Sequence, residues 1–246
     1  MILAVAAWST WYDRLSTTDW DETLSIGIFP IDDAGDPHTG NYVRNLGKGD
    51  VVDIERFFNE EAAEYGIDIA RPVDVRLYPQ VQEMPPERDP DSGLWGNVVW
   101  SLKMRLYARR NARPAGLPVP QIRIFVRYHN PAFTREVPHS VGLQKGLVGV
   151  VHAFADPDMR GSNNVVIAHE ILHTLGASDK YDPATLAPMF PIGYADPNRQ
   201  PRFPQTFTEI MAGRRAISET EFEIPESLDE VIVGPATALE IRWLKR

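Results

Sequence analysis

Two periodicities in the apolar residues divide the chain into predicted strands and helices. Short apolar stretches bounded by turn-forming residues predict four strands, at 23–31, 73–78, 121–128 and 147–154. Apolar residues that recur at intervals of three and four predict one helix over 50–65 and a second from Trp95 to Leu106. The segments 32–40 and 79–93 are rich in turn-forming residues, and we predict loops there. A short final helix is predicted over 236–244.

The second predicted helix carries apolar residues at Trp95, Val98, Val99, Leu102 and Leu106 and ends in a cluster of arginines. The cluster comprises Arg105, Arg109, Arg110 and Arg113. Such a cluster is typical of a solvated helix end, where cations interact favourably with the helix dipole. The sequence alone assigns it no function.

A third helix is predicted over 163–175, directly after the fourth strand. Ser162 or Asn163 can cap its amino end, and Gly176 stands where a helix ends in the left-handed conformation. A chain that turns sharply at Gly176 can bring Asp179 back toward the end of the helix.

This third helix contains His169, Glu170 and His173 in the spacing HExxH. Residues four apart lie on one helical face, so both imidazoles can reach one Zn²⁺. Glu170 lies beside that face, where its carboxylate can act as a general base on a water at the metal. Asp179 can supply a third ligand. The simpler interpretation is an amphipathic helix whose two histidines are only polar groups on its surface.

With Gly176 and Asp179 included, the motif HExxHxxGxxD resembles that of the metzincin metallopeptidases, HExxHxxGxxH followed by a Met-turn. Asp179 stands where most metzincins have a third histidine, as in the snapalysin-type variant. The resemblance implies an α+β fold with a mixed twisted sheet, two long helices, the active-site helix and a small loop-rich C-terminal subdomain. It also implies that the strand 147–154 forms the rim of the cleft and pairs with an extended peptide substrate. The alternative for 147–154 is an internal strand.

The resemblance further implies a methionine on a tight turn beneath the metal. Met211 is the best match because Gly213 follows within two residues, whereas Met189 is the competitor and an ordinary core residue is the simpler interpretation. Metzincins often carry a tyrosine where this chain has Gly213. Tyr181 or Tyr194 would have to supply such a hydroxyl here.

Composition narrows the class of protein. A chain of 246 residues with 43% hydrophobic and 24% charged residues can bury one core, or a domain and a smaller subdomain. Its net charge of −9 argues against nucleic acid as a partner, because phosphate binding needs a basic surface. The chain has no cysteine, which excludes disulfides, thiolate metal sites and cysteine nucleophiles.

We expect three regions: an N-terminal segment at 1–22, a catalytic subdomain at 23–176 and a C-terminal subdomain at 177–246. The apolar stretch 1–8 is shorter than a membrane span, and it is either the remnant of an anchor or signal or a packing segment. Membrane association is expected only if a native anchor has been removed. The compartment stays open, with an extracytoplasmic one favoured.

The sequence predicts a zinc-dependent endopeptidase in which Glu170 is the general base and one Zn²⁺ is held by His169, His173 and Asp179. One alternative is a gluzincin-type enzyme whose third ligand is a later glutamate, namely Glu209, Glu219 or Glu221. Another is a zinc-stabilised binding protein without turnover. Of the other histidines, His38, His129 and His139 are predicted at the surface, and His152 is predicted to be a packed or rim residue rather than a fourth ligand.

Overall fold

A five-stranded mixed sheet forms the centre of the α+β fold. The computed structural model describes residues 18–245 except 88, 90–92, 114–115, 139 and 145, and except the side chain of Leu94. The strands are β1 (Leu24–Asp32), β2 (Val73–Leu77), β3 (Ile122–His129), β4 (Val141–Leu143) and β5 (Val148–Phe154). They lie in the order β2-β1-β3-β5-β4, and all neighbours are parallel except β4, which is antiparallel to β5.

Five α-helices surround this sheet in the described part of the chain. They are α1 (Pro37–Asn45), α2 (Val52–Glu64), α3 (Gly93–Asn111), α4 (Arg160–Leu175) and α5 (Pro235–Glu240). Two short two-stranded sheets follow α4: β6 (Thr208–Glu209) pairs with β9 (Val231–Ile232), and β7 (Arg215–Ala216) with β8 (Phe222–Glu223). The two long helices and the third helix of the sequence prediction are therefore confirmed as α2, α3 and α4.

Helix α1 lies partly in the segment 32–40, where the sequence predicted only a loop. The Asp36 side chain accepts hydrogen bonds from the backbone amides of His38 and Thr39, and Pro37 occupies the first helical turn. Asp36 and Pro37, from which we predicted a turn, thus form the start of a helix.

Helix α4 begins earlier than predicted, and neither Ser162 nor Asn163 caps it. A 3₁₀ helix at Pro157–Met159, capped by the Asp156 side chain, leads directly into Arg160. The Asn163 amide instead faces β5, where it accepts a hydrogen bond from the Phe154 amide at 3.0 Å and donates one to the Phe154 carbonyl at 2.9 Å. Asn163 therefore ties the helix to the end of the strand before it.

Alternating residues of the strands separate two apolar clusters, one on each face of the sheet. Ile26 and Ile28 of β1 face the cluster that contains α2 and α4, whereas Phe29 and Ile31 face the cluster that contains α3. The C-terminal region also packs into the first cluster, through Ile210, Met211, Leu228, Val231, Ile241 and Trp243. Residues after Gly176 thus share a core with the sheet.

The two ends of the described chain meet in that first cluster. The Trp20 indole donates a hydrogen bond to the Ile241 carbonyl at 2.8 Å, and its ring lies 5.5 Å from that of Trp243. Helix α5 stops at Glu240, short of the predicted residue 244, because Arg242 takes a φ of 64°. Most of the predicted N-terminal segment, including the apolar stretch 1–8, lies outside the described residues. None of the described helices has the length and apolar composition that a membrane crossing requires.

Strand β5 is not the open rim that we expected for 147–154. Its residues Val148–Val150 pair with β4, the His152 amide donates to the Ser140 hydroxyl, and Asn163 bonds both backbone groups of Phe154. The side of β5 away from β3 is therefore already occupied. The edge of the described sheet on this side is β4, whose three half-buried residues are too few to show a period in the sequence.

Candidate metal centre

Helix α4 places two imidazoles beside each other at the carboxylate of Asp179. The His169 and His173 rings have centroids 4.7 Å apart and lie nearly perpendicular. The Nε2 atom of His169 is 3.2 Å from Asp179 Oδ1, and the Nε2 atom of His173 is 3.1 Å from the same oxygen. The three residues that the sequence proposed as ligands thus meet at one point.

A left-handed turn at Gly176 brings Asp179 back to the helix. Gly176 has a φ of 105°; its amide bonds the His173 carbonyl at 3.1 Å, and the Ala177 amide bonds the Leu172 carbonyl at 3.0 Å. These two bonds form the helix-ending pattern that reverses the chain. A side chain at this position would also meet Gln144, because an added Cβ would lie 2.3 Å from its Nε2 atom.

The outer nitrogen of each histidine is bound to a backbone carbonyl. His169 Nδ1 lies 2.9 Å from the Ile210 carbonyl oxygen, and His173 Nδ1 lies 2.9 Å from that of Ala177. Carbonyl oxygens only accept hydrogen bonds, so each Nδ1 carries a proton and each Nε2 is the ring nitrogen that faces Asp179. Backbone contacts of this kind orient metal-binding histidines in proteins.

The two Nε2 atoms therefore converge on Asp179 Oδ1, and this buried oxygen has no hydrogen bond of good geometry among the described residues. A cation between these atoms, either a proton on an Nε2 atom or a metal ion, stabilises the buried carboxylate. Two ligands of one tetrahedral Zn²⁺ would be about 3.3 Å apart, close to the separations seen between Asp179 and the two histidines. The donor set of two imidazoles and one carboxylate fits this ion.

The pKa values of Asp179 and His173 both shift toward the charged forms of these side chains. Burial opposes the ionisation of Asp179, yet the hydrogen bonds and charges of the two histidines hold its pKa well below the ordinary value. Burial likewise opposes protonation of His173, but its contact with Asp179 and the charge of Glu170 raise its pKa.

Glu170 is buried beside the two imidazoles, and one of its carboxylate oxygens has no hydrogen-bond partner among the described residues. Ligand-type atoms of His169, Glu170 and His173 lie within 4.8 Å of one another. Burial raises the pKa of Glu170 above its ordinary value. A buried carboxylate with a free oxygen at this distance is positioned to take and return a proton.

Gly142 of the edge strand packs directly on Glu170. A Cβ added at Gly142 would lie 2.5 Å from the Glu170 backbone oxygen, 2.7 Å from His173 Cβ and 3.1 Å from Glu170 Oε2. Only glycine permits this approach of β4 to the helix. No local pattern in the sequence marks Gly142, because its role depends on the pairing of β4 with β5.

Met211 lies on the short turn that supports His169. The turn is a 3₁₀ helix at Ile210–Ala212 that ends at Gly213 in the left-handed conformation, and the Met211 side chain is fully buried. Ile210 supplies the carbonyl that holds His169, and the Met211 carbonyl accepts a hydrogen bond from the Lys180 amide at 2.9 Å. Met189, the competitor in the sequence, is exposed.

The later glutamates do not reach the cluster. Glu209 is buried, and its carboxylate accepts hydrogen bonds from the Ala212 amide, the Gly234 amide and the Thr237 hydroxyl. Glu219 and Glu221 are exposed, whereas Asp179 Oδ1 lies within 3.2 Å of both histidines. The geometry thus supports Asp179 rather than a downstream glutamate as the third ligand.

Of the two candidate tyrosines, only Tyr181 lies at the site. Burial raises its pKa, and the charges of Asp179 and Glu170, together with a hydrogen bond to the Asp179 side chain, raise it further. Tyr194 instead packs against Phe190 and Phe203. The hydroxyl beside the candidate ligands therefore belongs to Tyr181.

A second polar cluster, which was not predicted from the sequence, lies at the ends of β1, β3 and β5. Asp33 Oδ2 is 3.1 Å from His129 Nδ1, and His129 Nε2 is 2.8 Å from His152 Nδ1. His129 is therefore buried in a hydrogen-bonded chain, contrary to the surface position predicted for it, and His152 is packed as expected. His139 lies outside the described residues.

No protein-family model matches the chain, and a search of curated proteins found none similar to it. The function is therefore inferred from the geometry of the site.

Proposed function

We propose that this protein is a zinc-dependent endopeptidase of the metzincin type. The observation that carries the proposal is the convergence of His169 Nε2, His173 Nε2 and Asp179 Oδ1, with both Nδ1 atoms bound to backbone carbonyls. Among ions, Zn²⁺ is favoured because two imidazoles and one carboxylate are ligands it binds well, although Co²⁺, Mn²⁺ and Ni²⁺ accept the same set.

The metal ion, Glu170 and Tyr181 each have a different role in the proposed reaction. Zn²⁺, when bound, supplies a Lewis acid that polarises a carbonyl and favours deprotonation of water. Glu170 takes a proton from the attacking water on its free Oε2 and returns it to the leaving amine, for which a raised pKa is suited. Tyr181 donates its hydroxyl hydrogen to Asp179 and is placed to orient that carboxylate.

An extended peptide is the substrate that the neighbouring edge strand favours. Strand β4 is paired on one side only in the described sheet, and its Gly142 lies so close to α4 that an added Cβ would meet both Glu170 and His173. A peptide that adds to the free edge of β4 as a further strand would pass beside the catalytic carboxylate. This proposal moves the substrate from 147–154, which is internal, to β4.

The first experiment measures zinc per chain by elemental analysis in the wild type, in Asp179→Ala and in Asp182→Ala. Asp182 is a matched control, since it is an exposed aspartate of the same loop that caps local amides and has no contact with the histidines. We expect one zinc per chain in the wild type and in Asp182→Ala, and little in a folded Asp179→Ala. Zinc retained in Asp179→Ala would show that Asp179 is not the third ligand and would favour the gluzincin-type alternative.

A second experiment separates an enzyme from a zinc-stabilised binding protein. Glu170→Gln keeps the shape of the side chain and removes its basicity, so it should retain zinc and lose hydrolysis of a quenched-fluorescence peptide library. A wild-type protein that holds zinc but cleaves no member of the library would contradict the enzymatic proposal and favour the binding protein.

A further inference from the structure

The outer face of α3 carries a continuous apolar stripe. The exposed fractions are 81% for Trp95, 41% for Val98, 48% for Val99, 55% for Leu102 and 50% for Leu106. These residues are three or four apart and thus share one face. The opposite face, with Trp100, Met104, Tyr107, Ala108 and Ala112, packs into the core beneath the sheet.

A surface helix normally turns its apolar residues to the core and its polar residues to water. Helix α3 is apolar on both faces, so its apolar periodicity in the sequence did not show which face is buried. A contiguous exposed apolar stripe is costly in water and marks a surface that contacts something else.

The charged residues of the segment 93–113 are all positive, and Glu83 of the preceding loop lies at the far end of α3, where it accepts a hydrogen bond from Asn111. Lys103, Arg109, Arg110 and Arg113 are exposed, and Arg105 is half-buried beside Gly146. No aspartate or glutamate occurs from residue 93 to residue 113, although the whole chain has a net charge of −9. The stripe and its basic neighbours are therefore a local cationic and apolar surface on an acidic protein.

We propose that the outer face of α3 docks on the surface of an anionic lipid bilayer. A helix that lies in the membrane interface inserts an apolar face, often with tryptophan, and directs basic side chains to the anionic headgroups. Both features are present on α3. Self-association through this face would bring two sets of like charges together and is disfavoured for that reason.

Docking in this way leaves the candidate metal centre accessible. Helix α3 packs on the face of the sheet opposite to α2 and α4, and α4 carries His169 and His173. The sheet therefore lies between the lipid and the two histidines. The proposal does not depend on the function proposed above, since it uses no residue of the metal centre.

The test measures binding of the full-length protein to vesicles by co-sedimentation. Vesicles of phosphatidylcholine mixed with phosphatidylserine are compared with vesicles of phosphatidylcholine alone, at low and high salt. We expect binding to the anionic vesicles only, weakened as salt screens the charges. Trp95→Ser/Leu102→Ser should abolish this binding, whereas Phe133→Ser, which changes an equally exposed residue outside α3, should not.

A charge variant tests whether the basic side chains of α3 contact the anionic headgroups. Arg109→Gln/Arg110→Gln should weaken partitioning about 25-fold, since each basic residue near an anionic surface contributes about a factor of five. Arg135→Gln, at an exposed arginine outside α3, is the control and should have little effect. Circular dichroism verifies the fold of every variant.

Three results would overturn the proposal. The first is a wild-type protein that binds neither kind of vesicle. The second is binding that persists in Trp95→Ser/Leu102→Ser, which would place the lipid contact elsewhere in the chain. The third is a dimer seen by light scattering that the same two substitutions dissociate, which would make a second copy the occupant of the face.

Discussion

The buried ammonium group of Lys180 donates a 2.6 Å hydrogen bond to the Glu240 carboxylate, which joins the loop after α4 to helix α5. The same ammonium bonds the Ser178 carbonyl and hydroxyl, and Glu240 in turn accepts from the Ser178 amide and hydroxyl. Asp179 lies between Ser178 and Lys180. The two charged groups thus hold the backbone on both sides of the proposed third ligand.

Lys180→Met should therefore weaken both the fold and the metal site. Removing one partner of a largely buried ion pair costs about 3 kcal/mol, and loss of a contact that orients a ligand lowers metal affinity about 10- to 100-fold. Urea unfolding and zinc titration measure the two effects. Arg215→Met is the control, because the Arg215–Glu223 pair is more exposed and should cost less than about 1 kcal/mol. Equal costs for the two variants would show that Lys180 has no special role.

Gly142→Ala should lower peptidase activity without loss of zinc. The new Cβ would lie 2.5 Å from the Glu170 backbone oxygen, so β4 must move away from the helix. We expect kcat/KM to fall about 10-fold or more, since small misplacements near the reacting groups are costly. Gly49→Ala is the matched control, because an added Cβ there meets nothing within 4 Å. An unchanged kcat/KM in Gly142→Ala would contradict the proposal that the substrate binds along β4.

Tyr181→Phe should lower kcat/KM about 10- to 100-fold at unchanged zinc content, because it removes the hydroxyl that bonds Asp179. Tyr194→Phe is the control, since Tyr194 packs among Phe190 and Phe203 instead. Steady-state kinetics with one cleaved peptide compares the two variants. A larger loss in Tyr194→Phe than in Tyr181→Phe would contradict the assignment.

Asp33→Asn should destabilise the protein at neutral pH but much less in acid. Burial opposes ionisation of Asp33, yet hydrogen bonds and charges from His129 and Arg127 lower its pKa from 3.8 to about 2. A carboxyl with a lowered pKa in the folded state stabilises above its unfolded pKa, and this stability is lost as the pH falls toward 2. Because Asp33 is partly exposed, solvent screening reduces the contribution of its ionised carboxylate to the free energy of unfolding to about 1 kcal/mol.

Urea unfolding of Asp33→Asn and wild type at pH 7 and near pH 2 gives this difference in free energy of unfolding. Asp68→Asn, at an exposed aspartate, is the control for the substitution itself. A cost of Asp33→Asn that stays constant with pH would mean that its ionisation does not contribute to stability.

Local patterns in the sequence were sufficient to predict most of the helices and strands. The four strands with long apolar stretches, the helices α2, α3 and α4 and the turn at Gly176 agree with the prediction to within a few residues, because each depends on neighbours along the chain. Helix α1 was missed because Asp36 and Pro37 serve equally well to start a helix or to form a turn.

The sequence by itself determined the HExxH spacing on a helix, the glycine that ends it and an aspartate within reach, all of which follow from local helix geometry. Only the tertiary structure decided that Asp179 meets both histidines, that Glu209 is used elsewhere, that β4 covers the edge of β5 and that the apolar stripe of α3 faces outward. These features depend on contacts between residues far apart in the chain, such as Lys180 with Glu240 and Gly142 with Glu170. Local periodicity carries no information about such contacts, because they are made only when the sheet and its two apolar clusters assemble.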